Sequence, residues 1–158
     1  MSATKTHILI IGGDGDLAIR KLYPALFSLE SAGELGEVEC ITGLSRSAKD
    51  RSVILNAVNK RLAGSGQLDS AHWDSFSSRL NFITGDATST DDLKAFSKEV
   101  DLEKTQLIVY FAIPPKVFDG VCRAMHAAGL VVPSTRVVVE KPLGTSCDSF
   151  TEIHEQMA

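Results

Sequence analysis

Short apolar runs rich in β-branched residues alternate along this chain with longer stretches of helical spacing. That alternation constrains the fold more than any other feature. Runs so short suit strands better than buried helices. Strands separated by helices assemble into a parallel sheet whose right-handed crossovers cover both faces. His7–Ile11 reads as the first strand. From Asp16 to Ala32, Ala18, Leu22, Leu26 and Leu29 mark one helical face, closed by Gly33. Pro24 lacks a backbone donor and predicts a kink near Tyr23. Val38–Leu44 is the second strand, and Ser47-Ala-Lys-Asp50 has the character of a capping box that opens a helix to about Leu62. A short helix over Ser70–Arg79, a strand at Leu80–Thr84 and a helix from Thr90 to about Glu99 follow. Leu107–Ile113, the most apolar run, is expected as a central strand buried on both faces. Pro114-Pro115 starts the next helix and Gly129 ends it. Val137–Glu140 is a fifth strand and Ser146–Met157 a last helix.

A chain of 158 residues fits one domain. Its 44% hydrophobic and 23% charged content argues against disorder. Sixteen Lys and Arg against twenty Asp and Glu leave a net charge of −4, without the basic surplus of a nucleic-acid binder. No apolar run approaches the roughly 18–20 residues of a membrane helix, and the polar start from Met1 to His7 is not laid out as a signal peptide. Neither nucleic acid nor membrane is therefore expected as a partner, and a cytoplasmic location is. Cys40, Cys122 and Cys147 have no metal or redox spacing, and Cys40 and Cys122 sit among apolar neighbours as packed thiols would. The four histidines are equally scattered, so no metal site is expected.

Chemistry enters at the first strand–helix junction. Gly12-Gly-Asp-Gly15-Asp-Leu-Ala18 follows the first strand and opens a helix. Glycines there permit a tight turn and close approach of the backbone to a ligand, while the helix start offers free N–H groups to a pyrophosphate. Alone the pattern is weak. In the first turn of five strand–helix units it points to a doubly wound, Rossmann-like α/β domain of three layers, with about five to six strands, over 1–158. Asp14 puts a carboxylate inside a loop meant for phosphate, where like charges repel. It either points to solvent or weakens the ligand. The second strand ends Gly43-Leu-Ser-Arg-Ser47, with Lys49 close behind and no acid before Asp50. A cation at that position favours a ribose 2′-phosphate, hence NADP over NAD. Arg46 is the candidate, and Lys49 the competing one.

Three blocks are then recognisable: residues 15–24 (Gly-Asp-Leu-Ala-Ile-Arg-Lys-Leu-Tyr-Pro), Tyr110-Phe-Ala-Ile-Pro-Pro115 and Val139-Glu-Lys-Pro-Leu-Gly144. In that order and spacing they resemble the glucose-6-phosphate dehydrogenase family, over nearly the whole chain. The resemblance implies that Gly12, Gly13, Asp14, Gly15, Asp16, Leu17, Ala18 and Ile19 wrap the pyrophosphate and that Arg46 pairs with the 2′-phosphate. It sets Asp86 and Ala87 against the adenosine, and the turn of Ala112 and Pro114 beside the nicotinamide, with Phe118 as an aromatic near the cofactor. Lys141 is implied to contact both sugar phosphate and cofactor, and Pro142 to fix the backbone beside it. The implied reaction oxidises D-glucose 6-phosphate to the 6-phosphogluconolactone with hydride transfer to NADP, the first step of the oxidative pentose phosphate route. The family's substrate motif and histidine base belong to a following β+α domain that this sequence does not contain, so the chain alone is expected to be inactive. The whole enzyme is expected to be a homo-oligomer. Two other readings stay open: the glucose–fructose oxidoreductase and inositol dehydrogenase group, which shares a Glu-Lys-Pro motif but lacks the Asp16 to Pro24 block, and a non-catalytic NADP-binding regulatory module.

Overall fold

The computed structural model describes residues 5–47 and 49–139. Five parallel strands form one sheet: β1 (Lys5–Ile11), β2 (Val38–Ser45), β3 (Leu80–Thr84), β4 (Thr105–Phe111) and β5 (Arg136–Val139), in the order β3-β2-β1-β4-β5. Between them lie α1 (Tyr23–Ser31), α2 (Arg51–Gly64), α3 (Ser70–Ser78), α4 (Thr90–Ser97) and α5 (Phe118–Ala127). The doubly wound α/β reading is thus correct. The fifth strand is offset by one residue, and its expected last member Glu140 lies outside the described residues, as does the Ser146–Met157 helix.

The alternating pleat of β1 explains the three layers, because successive side chains point to opposite faces. Leu9 and Ile11 join the core of α4 and α5, around Leu93, Val121 and Met125. Ile8 and Ile10 join that of α1, α2 and α3, around Phe27, Val58 and Phe76. The middle strand is therefore β1. The expected central strand, β4, sits beside it, and it starts and stops ahead of the expected Leu107–Ile113. Leu107, Val109 and Phe111 are buried, whereas Ile108 and Tyr110 reach only the margin of the α1–α3 core and stay half-buried. The fully buried strand residues of that layer come from β1, β2 and β3.

Two local expectations fail for identifiable reasons. Pro24 does perturb its helix, but by converting Ala18–Leu22 into a π-helical turn in which the Tyr23 N–H donates to the Ala18 carbonyl. The proline has no N–H for the Arg20 carbonyl, and the wider turn absorbs the loss. One extra residue per turn advances the buried face from the expected Leu22, Leu26 and Leu29 to Tyr23 and Phe27. Leu29 is left 38% exposed. Secondly, α2 is entered at Asp50, not through a capping box at Ser47. The Ser47 hydroxyl is engaged elsewhere, on Asp14.

Among the described residues no helix is long and apolar enough to cross a membrane.

Candidate functional site

The strand order reverses direction between β1 and β4, and ligands of open α/β sheets bind outside the carboxyl ends of the strands at such a switch point. A cleft of about 270 Å³ opens there, between the ends of β1, β2, β3 and β4. Gly12, Asp14, Arg46, Asp86, Ala87 and Pro114 line it, bringing together residues singled out from four separate segments of the sequence.

The turn after β1 is built by close backbone packing. Gly12 has φ +85°, and a Cβ there would lie 2.5 Å from the Ala112 carbonyl oxygen. At Gly13 a Cβ would meet the Gly43 Cα at 2.4 Å. Both glycine N–H groups donate to the Leu44 carbonyl, at 2.8 and 3.1 Å, and the Gly15 N–H donates to the Gly12 carbonyl. Ile19 N–H makes the first helical bond, to the Gly15 carbonyl. The amides of Gly12, Gly13, Gly15 and Ile19 are thus committed inside the protein. Those of Asp16, Leu17 and Ala18 belong to the first helical turn, which has no intrahelical acceptors of its own. They are the donors available to an anion, reinforced by the helix dipole.

Tyr23, which the sequence did not single out, pins this turn. Its hydroxyl donates to the Gly13 carbonyl at 2.6 Å, and its ring packs edge-on against Phe82 with centroids 6.0 Å apart. Burial, and then the negative charge of Asp14, push its phenol well above the ordinary tyrosine range. Gly43 leaves room for that hydroxyl, since a Cβ there would stand 2.7 Å from it. A glycine inside a strand pattern is the signal that could have revealed the close approach.

Asp14 does not point to solvent. Its side chain is 16% exposed, accepts a hydrogen bond from the Ser47 hydroxyl, and pairs with the Lys49 ammonium at 3.4 Å. Lys49 is thereby engaged, while Arg46 stands exposed at the cleft wall. Across the cleft Asp86 caps its own loop, its Oδ1 accepting from the Thr88 hydroxyl at 2.6 Å and the Thr88 N–H at 2.9 Å. Those bonds, with a smaller contribution from the Arg46 charge, hold its carboxyl below the usual carboxylate range. Thr88 also lines the cleft, and the sequence reading missed it. Ile113, Val117 and Val121 supply an apolar wall.

Several expected ligands are absent from the cleft lining. Ala18 is buried, and Ile19 packs at the margin of the α1–α3 core. Asp16 is exposed and holds Arg20 at 3.0 Å, one helical turn on. Ala112 flanks the cleft through its carbonyl against Gly12, with its N–H bonded to the Ile11 carbonyl at 2.9 Å. Phe118, expected beside the cofactor, is only 5% exposed and packs on Phe111 with centroids 5.1 Å apart. The short helical turn Pro115–Val117 precedes it and rotates its ring into the core of α4 and α5. Lys141 and Pro142 lie outside the described residues.

Residues 9–158 match the family described as "Glucose-6-phosphate dehydrogenase, NAD binding domain". A glucose-6-phosphate 1-dehydrogenase of Dickeya dadantii is 38% identical over 99% of this chain and 32% of its own length. That of Mycolicibacterium smegmatis is 37% identical over 93% of this chain and 31% of its own. Among solved structures, the glucose-6-phosphate 1-dehydrogenase of Mycobacterium avium superposes with a TM-score of 0.83 at 26% identity, over 98% of this chain and 34% of that one. A glucose-6-phosphate dehydrogenase in complex with its substrate glucose-6-phosphate gives 0.79 at 32% identity, over 100% and 35%. The chain therefore spans about a third of the length of the relatives it matches.

Proposed function

Because the chain belongs to the glucose-6-phosphate dehydrogenase family, matching its nucleotide-binding domain, we propose that it is an NADP-binding domain with Arg46 as the reader of the 2′-phosphate. The observation that carries this reading is the cation at the end of β2. Arg46 is exposed on the cleft wall where an NAD-binding fold would keep a carboxylate for the ribose 2′-hydroxyl. Its rival Lys49 is held by Asp14.

The remaining groups fit a dinucleotide. Glycines at 12 and 13 let the turn pack on the Ala112 and Gly43 backbones, the first-turn amides of Asp16, Leu17 and Ala18 suit a pyrophosphate, and the Asp86–Thr88 turn with Ala87 suits the adenosine. Pro114 lines the same cleft and, with Ala112, would suit the nicotinamide end.

In the whole enzyme this domain would serve the oxidation of glucose 6-phosphate to the lactone. NADP, held by the glycine turn, Arg46 and the Asp86 loop, would supply the hydride acceptor for the sugar C1. Lys141, two residues beyond β5 in sequence, would contact both sugar phosphate and cofactor, with Pro142 fixing the backbone beside it. A histidine base would come from the second domain.

Calorimetric titration of the wild type and Arg46→Ala with NADP and NAD tests the assignment. A guanidinium offers a phosphate two parallel charge-assisted bonds of about 1.5–3 kcal/mol each. NADP binding should therefore weaken by roughly tenfold or more, with NAD unchanged. Equal losses for both nucleotides, or no loss, would refute it.

A further inference from the structure

Asp14 is the one carboxylate on the glycine turn that faces the cleft, and its partners come from the segment that carries Arg46. Ser47 follows Arg46 directly and Lys49 stands two residues further on. Both are donors that a phosphate dianion at Arg46 would otherwise recruit. Asp14 turns them toward itself instead, 33 residues away in sequence across the cleft mouth. Its own charge also faces whatever anion Arg46 holds, at a half-buried position where water screens it less than at the surface.

From this geometry we propose that Asp14 is a specificity-determining residue: by engaging Ser47 and Lys49 and adding a negative charge beside Arg46, it limits the preference for the 2′-phosphorylated nucleotide and keeps NAD competitive. This rests on Arg46 reading the 2′-phosphate, as proposed above. Both effects fall most heavily on a 2′-phosphate held at Arg46, beside Ser47 and Lys49. The pyrophosphate is common to NADP and NAD, and its donors are the helix-start amides. A change confined to the Asp14 charge should therefore move NADP more than NAD.

Asp14→Asn keeps the shape and still accepts from the Ser47 hydroxyl, but removes the charge and frees Lys49. Asp14→Glu keeps the charge. Both are titrated calorimetrically with NADP and NAD, and their thermal unfolding is followed without nucleotide. Asp14→Asn is expected to tighten NADP by about tenfold, the order of one charge removed from a partly screened site. NAD should stay within about twofold, and Asp14→Glu should keep the wild-type ratio of affinities. Adding Arg46→Ala to Asp14→Asn should abolish the NADP gain. The proposal is overturned if Asp14→Asn leaves the NADP-to-NAD ratio unchanged, or if Asn and Glu shift it alike. It is also overturned if both nucleotides weaken together as the protein loses stability, since Asp14 is then a structural tie. If Arg46→Ala alone leaves NADP binding intact, the Arg46 reading fails independently of the Asp14 result.

Discussion

Tyr23→Phe removes a single oxygen from the centre of the nucleotide turn. The ring stays, with its edge-on contact to Phe82 and its place in the α1–α3 core. What disappears is the 2.6 Å bond to the Gly13 carbonyl. Gly13 is buried, and it is packed so tightly on Gly43 that a Cβ would come within 2.4 Å, so water has no room to replace the hydroxyl. An unsatisfied buried carbonyl costs about 1–3 kcal/mol. For a domain of this length each kcal/mol lowers Tm by about 2–4 °C, giving a loss of roughly 2–12 °C. Thermal and urea unfolding of the wild type and Tyr23→Phe measure it directly. Because the turn serves the pyrophosphate shared by both nucleotides, NADP and NAD affinities should fall together. A Phe variant within about 0.5 kcal/mol of wild type would refute the role of Tyr23 as the pin of this turn.

Gly12→Ala combines positive φ with a Cβ only 2.5 Å from the Ala112 carbonyl oxygen. It should lose more than about 2 kcal/mol in urea unfolding, together with nucleotide binding. Gly33→Ala, at φ +72° with nothing within 4 Å, should lose only about 1–2 kcal/mol and keep binding. His7 is buried, bonded through Nε2 to the Thr42 hydroxyl at 2.7 Å, and burial lowers its pKa from 6.5. The unfolded chain then takes up a proton that the folded one refuses, so this contribution to stability is intact above pH 6.5 and is lost as pH falls from there through the folded pKa. Urea unfolding at stepped pH should show that decline, and His7→Gln should flatten it; an unchanged slope in the variant would contradict the assignment.

The sheet was legible because its strands are short β-branched runs between helical segments, and the run at Leu80–Thr84 was read to the residue. Gly12, Arg46 and Pro114 stood out in the sequence because motif chemistry and strand ends coincide, and the structure brings them to one cleft. What escaped depends on contacts between distant segments. The π turn before Pro24 shifts the helix phase by one residue, which a pattern of threes and fours does not encode. Ser47 carries a capping signature, yet its hydroxyl is taken by Asp14. Thr88 and Tyr23 join the site through the Asp86 loop and the Gly13–Gly43 contact, and only the glycine inside β2 marks either of these in the sequence.

The most direct test of a cofactor cleft at the carboxyl ends of β1–β4 is amide chemical-shift mapping of the protein titrated with NADP. Saturable shifts are predicted at Asp14, Leu17, Ala18, Arg46 and Thr88, around the helix start and the cleft wall. Shifts clustered instead at the other end of the sheet, around Glu39 and Arg79 where a second, shallower depression lies, or no saturable shifts at all, would contradict it.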